Sequence, residues 1–418
     1  MTAPAHQGMT YSSLGPEPYG GSSGVALFLA EMAVATGDEK ARETALGAIR
    51  QALGRAEVIE APVQLGLYTG RPGLALVAAR VGRLLQAEDI VSGARNLLDT
   101  LDADLTEDHE HDLLSGSAGA VIALLRLSEM LDEPALIDRA TGLGERLVEA
   151  AECNERGCSW PSIALPDSPN LTGYSHGAAG IGMALLELWQ ATGDEPFHDV
   201  ATRAFDFERS WFDPDECNWP DFRTVDDLDE RPDGPFPYAT FWCHGAPGIA
   251  LSRLRAWELT GDDRYRDEAI TALNTTQQAV INGLEDGTVN YSLCHGLAGN
   301  AEILALGSEM LGEGFERFGK LAGRSPRPGS GSTGRKSETG PVDAQRLDAE
   351  SDAGVGRDRA VLPAVGGSCA AVDFAPRMRM LEQIRKQCPS RRSRKKTPFQ
   401  GSIQDLWRFF DFAPLRSR

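Results

Sequence analysis

Lysine is nearly absent from the first three quarters of this 418-residue chain. Residues 1–314 contain one lysine, Lys40, and 20 Lys and Arg residues in all, against 50 Asp and Glu residues. Concentrated salt screens the self-repulsion from which such an acidic surface otherwise suffers. We therefore predict a protein adapted to high salt (a halophilic one), and the negative charge argues against nucleic acid as a partner.

The sequence also lacks the features of exported and membrane-spanning chains. No apolar stretch reaches the roughly 18 residues that a transmembrane helix needs. Residues 1–23 show no basic segment followed by an apolar one, so no signal peptide is predicted and a cytoplasmic location is expected. Seven cysteines, an odd number in such a chain, argue against a disulfide framework and favour metal binding or catalysis.

Several catalytic motifs are missing as well. We find no P-loop, no dinucleotide-binding glycine pattern after a strand and no serine nucleophile elbow. Cys153 and Cys158 lie away from any repeated motif, and we assign them no role. His109 and His111, which have acidic neighbours, predict a solvated loop, with a second metal site as the open alternative.

Glycine, in contrast, recurs in a regular pattern. Six segments share Gly-x-x-Gly followed by small and aliphatic residues, spaced roughly 45 to 70 residues apart, the length of two helices with their loops. The paired glycines are Gly21 and Gly24, Gly70 and Gly73, Gly116 and Gly119, Gly177 and Gly180, Gly245 and Gly248, and Gly296 and Gly299. Thr-Gly-Asp connectors follow at 36–38, 192–194 and 260–262. In them, Gly suits the end of one helix and Asp the cap of the next.

The repeats predict an all-α fold, an α/α toroid in which apolar inner helices are shielded by amphipathic outer ones. Ala41–Leu53 and Arg264–Val280 are helices of the outer kind. Glycines at the inner N-termini let backbones crowd at one end of the ring, where free N–H groups face a shared cavity. An open α-solenoid with packing glycines is the alternative. Chemically active residues at several turns favour the closed ring.

The repeats stop near Gly314, and we divide the chain into a toroid, residues 1–314, and a tail, residues 315–418. The tail carries 21 Lys and Arg against 11 Asp and Glu. It contains low-complexity and basic stretches, so it is predicted to be largely disordered and outside the repeat fold. Within it, Asp405 to Phe412 could form a short helix with an exposed aromatic face. No seventh Gly-x-x-Gly turn follows the sixth.

Two turns place a Cys-His pair directly before the first glycine, Cys243-His244 and Cys294-His295. Equivalent loops of neighbouring repeats meet at the mouth of a ring, so residues about 50 positions apart can come together there. Cys243, Cys294 and His295 with a vacant fourth position would be a catalytic zinc arrangement, and soft thiolates favour zinc over magnesium or calcium. Two buried packing cysteines are the alternative. His244 is either a fourth ligand or, as we favour, part of the cavity wall.

Three further residues are candidates for the same site. His176 occupies the equivalent turn of the preceding repeat, where an imidazole can take a thiol proton or give one to a developing enolate. A structural histidine at a helix start is the alternative. Asp112 lies four residues before its own turn and either orients His176 or caps the helix. Trp242, next to Cys243, is predicted to belong to the cavity wall.

At these residues the sequence resembles the lanthionine synthetase C-like family, most of all the cyclase domain of class II lanthipeptide synthetases. The resemblance covers about residues 15–313, and the stretches that carry it are 111–120, 173–181, 242–249 and 293–300. It implies an α/α toroid, zinc held by Cys243, Cys294 and His295, His176 as acid/base and Asp112 as its helper. The implied reaction adds a peptide cysteine thiol across dehydroalanine or dehydrobutyrine, giving a lanthionine or methyllanthionine thioether ring.

The sequence departs from the family pattern in two ways. The family ring has seven helix pairs, and the last pair with its glycine turn is missing here. Class II synthetases carry a dehydratase domain ahead of the cyclase, and nothing upstream of Tyr11 could be one. The expected partners are thus a dehydrated precursor peptide and a separate dehydratase. A non-catalytic scaffold that binds peptide is the second hypothesis, and a glycan-active (α/α) barrel, which needs paired acidic residues, is the third.

Thermal melting tests the predicted salt adaptation. Raising KCl from millimolar to molar concentrations should raise the Tm, because screening weakens the repulsion among surface carboxylates. The measurement is circular dichroism at increasing KCl and constant pH. A Tm that does not rise with KCl contradicts the prediction.

Overall fold

The computed structural model describes residues 13–60, 63–101, 109–224, 235–286 and 290–322. These residues form 12 α-helices and one two-stranded hairpin. The helices are α1 (Ser22–Thr36), α2 (Glu39–Leu53), α3 (Arg71–Leu85), α4 (Glu88–Asp99), α5 (Ser117–Leu131), α6 (Ala135–Glu149), α7 (Ala178–Thr192), α8 (Glu195–Ser210), α9 (Ala246–Thr260), α10 (Asp263–Asp286), α11 (Leu297–Leu311) and α12 (Glu316–Ala322). The hairpin joins β1 (Glu152–Asn154) to β2 (Gly157–Ser159). No helix in these ranges is long and apolar enough to cross a membrane.

The helices alternate between an inner and an outer layer. Each odd-numbered helix packs on the next odd-numbered one, from α1 on α3 to α9 on α11, and each also packs on the even-numbered helix that follows it. The central inner helices α5 and α7 are buried along most of their length, whereas the outer helices α6 and α8 bury one face. The all-α toroid that the repeats predict is confirmed.

The second glycine of each repeat explains why the pattern recurs. It is the third residue of its inner helix, and a Cβ there would lie 1.7 to 2.2 Å from the carbonyl oxygen six residues earlier. Those oxygens belong to Pro18, Leu67, Leu113, Tyr174, Trp242 and Leu293. Since any side chain would collide with the backbone, only glycine lets the entering loop fold back over the first helical turn. This fold places the residues before the turn at one end of the toroid, its mouth.

Main-chain hydrogen bonds join these loops from repeat to repeat. An amide of each of the first five loops donates to a carbonyl of the next loop, and we call this set of bonds the mouth ladder. Its bonds run from Tyr19 to Tyr68 (2.9 Å), Tyr68 to Leu114 (3.1 Å), Leu114 to Ser175 (3.0 Å), Ser175 to Cys243 (3.1 Å) and Trp242 to Cys294 (3.1 Å). Buried backbone groups need such partners. The ladder therefore fixes the six loops relative to one another.

The connectors between inner and outer helices also behave as predicted. Gly37, Gly193 and Gly261 end their helices in the left-handed region, with φ of 73°, 79° and 71°. The carboxylate of Asp38 accepts a hydrogen bond from the amide of Ala41 at 3.1 Å and so caps α2. Short connections of this kind place each outer helix antiparallel to the inner helix that precedes it.

A layer of charged side chains crosses the inner ring below the mouth. Its members occupy the position seven residues after the second glycine, and they are Glu31, Arg80, Arg126, Glu187 and Arg255, with Leu306 in the sixth repeat. Arg80 pairs with Glu31 at 2.8 Å, linking α1 to α3. Glu187 pairs with Arg126 at 3.6 Å and with Arg255 at 2.5 Å, linking α7 to both of its neighbours. Buried charges are tolerated only when they are paired in this way.

The prediction of a solvated loop at His109 and His111 is wrong for the start of that loop. His109 and Glu110 are 4% and 5% exposed. The Glu110 carboxylate accepts the amide N–H groups of Ile163 (3.2 Å) and Ala164 (2.6 Å). The sequence alone could not show these hydrogen bonds, because Ile163 and Ala164 lie more than 50 residues further along the chain.

The cysteines without an assigned role also differ from expectation. Cys153 and Cys158 form a disulfide, although the sequence argued against such bonds. They are directly opposite each other in the antiparallel register of β1 and β2, so the hairpin brings the two thiols together. The hairpin itself was not predicted, since its strands have only three residues each.

The proposed boundary at residue 314 stays a prediction. The described chain continues beyond it into α12, which packs on α11 and buries Phe318 completely. Residues 323–418, including the stretch from Asp405 to Phe412, lie outside the described residues.

The charged layer gives a test of what stabilises the inner ring. Replacing Glu187 by alanine removes the carboxylate that two buried guanidinium groups share, and should lower the free energy of unfolding by about 3–5 kcal/mol. Glu258 also pairs with Arg255, but its side chain is 41% exposed. Glu258→Ala should therefore cost less than about 1 kcal/mol. Urea unfolding followed by circular dichroism compares the two variants, and equal losses would contradict a buried network.

Candidate metal centre

The structure brings the three predicted zinc ligands together at the mouth. A sulfur from Cys243, a sulfur from Cys294 and a ring nitrogen from His295 all lie within 4.8 Å of one another. The Cys294 sulfur is 3.6 Å from Nε2 of His295. Cys243 is buried, whereas Cys294 and His295 are partly exposed, so the cluster is open on one side.

The loop that carries Cys243 is held by Asn218. The Asn218 side-chain oxygen accepts the amide of Ala246 at 2.9 Å, at the start of α9, and its amide group donates to the carbonyl of Ala239 at 3.0 Å. Gly245, between Cys243 and the helix, has a φ of 90° that an L-residue rarely adopts. The loop before α9 is thus fixed at both of its ends.

Side-chain hydrogen bonds also fix the loop that carries Cys294 and His295. The Asn290 side-chain oxygen accepts the amide of Ser292 at 2.9 Å, and the Ser292 hydroxyl accepts the amide of His295 at 3.1 Å. Asn300, on α11, donates to the carbonyl of Thr240 at 2.9 Å, in the loop before α9. Together with the mouth ladder, this bond ties the two ligand-bearing loops to each other.

The electrostatics of the two thiols fit a divalent cation. A hydrogen bond from Cys243 lowers the pKa of Cys294, and the same bond, together with burial, raises the pKa of Cys243. The two thiols therefore do not ionise independently, because the proton that Cys243 keeps eases the ionisation of Cys294. A dication would let both sulfurs ionise, and two thiolates with one imidazole are the donor set that zinc prefers. The residues present thus fit zinc.

His176 and Asp112 form a hydrogen-bonded pair beside this cluster. The Nδ1–H group of His176 donates to Oδ2 of Asp112 at 2.5 Å. The other oxygen, Oδ1, accepts the amide of Ser115 at 2.6 Å, so Asp112 both orients the imidazole and braces its own turn. Burial alone would lower the pKa of His176, but the Asp112 carboxylate, through its charge and its hydrogen bond, raises it above its ordinary value. About 30% of the His176 side chain stays accessible.

His244 lies behind His176 rather than in the ligand cluster. It is 1% exposed, and its ring stacks on that of His176 with centroids 5.8 Å apart. Its Nδ1 is 3.8 Å from a carboxylate oxygen of Asp221. Burial lowers the pKa of His244 to about 3, so the ring is neutral at ordinary pH. This placement favours a wall residue over a fourth ligand.

Two other side chains support the site from behind. The indole of Trp242 is 2% exposed and makes T-shaped contacts with the rings of Tyr68 and Tyr174, at centroid distances of 5.1 and 5.6 Å. The Glu208 carboxylate accepts the amides of Gly173 (2.9 Å) and Ala179 (2.8 Å), which bracket the His176 turn. Its burial raises the pKa of Glu208 to about 7.

Sequence reasoning missed Asp221 and Arg223. Arg223 binds both oxygens of Asp221, with Nε 3.0 Å from Oδ1 and its outer nitrogen 2.7 Å from Oδ2. The positive charge of Arg223 acts to lower the pKa values of His176, His244 and Cys294, so it lies near all three. Both residues are about 20 positions before the fifth glycine turn and have no counterpart in other repeats, which left no pattern to detect.

Tyr19 was missed although a signal for it exists. It stands two residues before the first glycine of the first repeat, the position that Cys243 and Cys294 occupy in the fifth and sixth repeats. In the structure its amide donates to the carbonyl of Tyr68 at 2.9 Å, which places Tyr19 in the mouth ladder. Aligning all six turns by position would have placed Tyr19 at the mouth.

With this geometry in place, comparison with known proteins decides the family. The family model described as "lanthionine synthetase C-like protein" matches residues 12–317. The chain belongs to the lanthionine synthetase C-like family. The resemblance seen in the sequence is therefore confirmed.

Two relatives in this family come from Lactococcus lactis subsp. lactis. The chain is 26% identical over 197 residues to a lacticin 481/lactococcin biosynthesis protein, covering 46% of this chain and 18% of that one. It is 26% identical over 146 residues to the nisin biosynthesis protein NisC, covering 33% of each. The matched regions thus span well under two thirds of either relative.

The fold is that of a solved structure. Nisin cyclase aligns with a TM-score of 0.57 at 17% identity, covering 73% of this chain and 80% of that one. At 17% identity, this similarity shows only that the two proteins share a fold.

Replacing Asp112 by asparagine tests the origin of the His176 pKa. Without the carboxylate, the desolvation of His176 prevails, and its pKa should fall below the value in the unmodified protein. NMR titration of the imidazole resonances measures the change. Asp38→Asn removes a carboxylate from a distant helix cap and serves as the control. A His176 pKa that is the same in Asp112→Asn would contradict the assignment.

Proposed function

We propose that this protein is a zinc-dependent lanthipeptide cyclase, which adds a peptide cysteine thiol to dehydroalanine or dehydrobutyrine. The observation that carries the proposal is the meeting of Cys243, Cys294 and His295 within 4.8 Å, open on one side. The His176–Asp112 pair adjoins this cluster, since the amide of Ser175, next to His176, donates to the carbonyl of Cys243 at 3.1 Å. The relatives named for lacticin and nisin biosynthesis support the same substrate class.

In this proposal Cys243, Cys294 and His295 hold the zinc. When bound, the metal supplies a site that lowers the pKa of the substrate cysteine thiol and keeps the sulfur nucleophilic. The partial exposure of Cys294 and His295 leaves a path by which a peptide side chain can reach the fourth position. A fourth protein ligand would fill this position and close the site. His244 does not act as that ligand, because its neutral ring stacks on His176 instead.

His176 acts on the other end of the alkene. As the new sulfur–carbon bond forms at Cβ, the π electrons move to the α-carbon and its carbonyl, and the α-carbon then takes a proton from the imidazolium. Since Nδ1 of His176 is held by Asp112, Nε2 is the atom that delivers this proton. The proton lost by the substrate thiol restores the imidazolium, so the addition needs no other reactant.

The mouth also favours negative charge on the reacting atoms. The inner helices begin there, and the N-termini of α7, α9 and α11 follow directly on His176, His244 and His295. Helix N-termini carry partial positive charge and free N–H groups. Arg223 adds a full positive charge nearby. These groups would stabilise the thiolate and the developing enolate without being consumed.

The partners that this function requires are a precursor peptide whose serines or threonines have already been dehydrated, and a dehydratase that prepares it. Dehydroalanine and dehydrobutyrine arise by loss of water from those residues, a reaction for which the cluster offers no leaving-group activation. A separate enzyme, or a further segment of a larger protein, would supply it.

Two substitutions separate metal binding from catalysis. Cys294→Ala should abolish both zinc binding and cyclisation, because one of two thiolate ligands is lost. His176→Ala should retain zinc but lose cyclisation by about 10²–10⁴-fold, the usual contribution of a positioned general acid. Glu258→Ala, in a partly exposed glutamate near the end of α9 away from the mouth, should retain both.

Elemental analysis measures the zinc, and thiol alkylation followed by mass spectrometry measures ring formation in a dehydrated peptide with a free cysteine. Stoichiometric zinc in Cys294→Ala would refute the site. Unchanged turnover in His176→Ala would remove its acid role. An unmodified protein that binds zinc and peptide but forms no ring would favour the alternative of a non-catalytic scaffold.

A further inference from the structure

One position of the inner helices is apolar in five repeats and acidic in the sixth. It lies three residues after the second glycine of the turn, and we call it the floor position. In the sixth repeat it holds Glu302. In the first five it holds residues that are each 2% exposed or less, namely Leu27, Leu76, Ile122, Met183 and Leu251. A carboxylate is costly in a position that elsewhere packs apolar side chains, so packing does not account for Glu302.

The floor position lies directly beneath the mouth. In the fourth repeat, the hydroxyl group of Tyr174 donates to the sulfur of Met183 at 3.1 Å. The ring of Tyr174 also makes a T-shaped contact with Trp242, whose neighbour in the chain is a candidate metal ligand. The floor position therefore contacts the loops that carry the candidate site. Glu302 occupies this position on α11, the helix that begins two residues after His295.

Glu302 lies on the side of α11 that faces away from α9. Asn300, which donates to the loop before α9, precedes Glu302 by two residues, a rotation of about 200° around the helix. Ala298 and Ala305 share the side of Glu302, and all three residues are partly exposed. In the described part of the chain, α11 packs extensively only on α9, α10 and α12. This side of α11 is therefore accessible from the mouth.

The Glu302 carboxylate has no partner among the described residues. Its Oε2 atom is buried without a hydrogen bond. Burial raises the pKa of Glu302 to about 7, and no neighbouring positive charge opposes this rise. Other carboxylates at the mouth are partnered, since Asp112 is bonded to His176 and Asp221 to Arg223. Glu302 thus keeps an unused capacity to bind a cation.

We propose that Glu302 is a specificity-determining residue, whose carboxylate receives a basic side chain of the peptide substrate while a cysteine of that peptide occupies the candidate metal centre. The inference rests on the proposed function, which names the peptide as the substrate. A lysine or arginine replaces the water that the carboxylate loses on burial, and their ion pair is partly shielded from solvent. A neutral side chain leaves the carboxylate without a partner.

Helix geometry sets how far the basic residue lies from the reacting cysteine. Glu302 is the sixth residue of α11, about 8 Å along the axis from the first. Its side chain leans back toward the N-terminus of the helix, as helical side chains do. An extended peptide advances roughly 3.3–3.6 Å per residue, so a basic residue about two or three positions from the cysteine reaches Glu302.

The test compares two dehydrated peptides that differ in charge. One has lysine three positions before and after the reacting cysteine, and the other has norleucine at both places, which keeps the methylene chain without the ammonium group. For the unmodified protein, kcat/KM of ring formation should be at least about 10-fold higher with lysine, the usual effect of a hydrogen bond to a charged group. Glu302→Leu, which introduces a residue found at this position in other repeats, should cyclise both peptides equally.

Glu309→Leu is the matched control, because Glu309 lies on the same side of α11 two turns further from the mouth. It should keep the preference for lysine. Thermal unfolding of the metal-free proteins adds a measurement that is independent of activity. Glu302→Leu should raise the Tm, since leucine is not penalised by burial as a carboxylate is. A lowered Tm would show that the carboxylate stabilises the fold, and it would overturn the proposal.

Peptide binding separates this proposal from the proposed function. Fluorescence anisotropy of labelled peptides measures Kd without ring formation. If the unmodified protein cyclises both peptides at equal rates, the role of Glu302 falls and the proposed function stands. If it forms no ring but binds the lysine peptide about 10-fold more tightly, and Glu302→Leu removes that difference, the proposed function falls and the role of Glu302 stands. Equal losses of the preference in Glu302→Leu and Glu309→Leu would overturn it, since they would reflect net charge alone.

Discussion

The mouth ladder is the constraint on which the rest of the structure depends. Each loop can donate to its neighbour only because a glycine at the third helical position lets the loop fold back onto its helix. The bond from Trp242 to Cys294 sets two loops side by side whose cysteines are far apart in sequence. Without this register, the sulfurs and the His295 nitrogen would not share one small volume. A site built from backbone contacts is also rigid, which a metal centre with only three protein ligands requires.

Charge is distributed in layers that suit such a site. At the mouth, the sulfurs of Cys243 and Cys294 and a ring nitrogen of His295 converge on one small volume that suits a dication, and Asp112 raises the pKa of His176. Further along the inner helices, the buried pairs around Glu187 hold α5, α7 and α9 in register. The inner ring thus combines apolar packing with ion pairs of fixed geometry. Those pairs resist sliding of one helix past the next, and sliding would misplace the loops above.

Repeat position proved to be the most informative signal in the sequence. It predicted the toroid and the meeting of Cys243, Cys294 and His295 because equivalent residues of a closed ring must converge. The same reasoning, applied to every equivalent position of the six repeats, would also have revealed Tyr19 and the charged layer. It could not reveal Arg223 or the Cys153–Cys158 disulfide, because those residues lie in insertions that occur in one repeat only. Their positions depend on tertiary contacts and strand register that no periodic pattern encodes.

The central claim is that two cysteines and one histidine hold zinc and leave one position for a substrate thiol. X-ray absorption at the zinc edge of the loaded protein tests it most directly. The account predicts two sulfur neighbours at about 2.3 Å and a nitrogen at about 2.0–2.1 Å. Addition of a cysteine-containing peptide should then raise the sulfur count to three. A shell made only of nitrogen and oxygen, or one whose sulfur count does not change with the peptide, would contradict it.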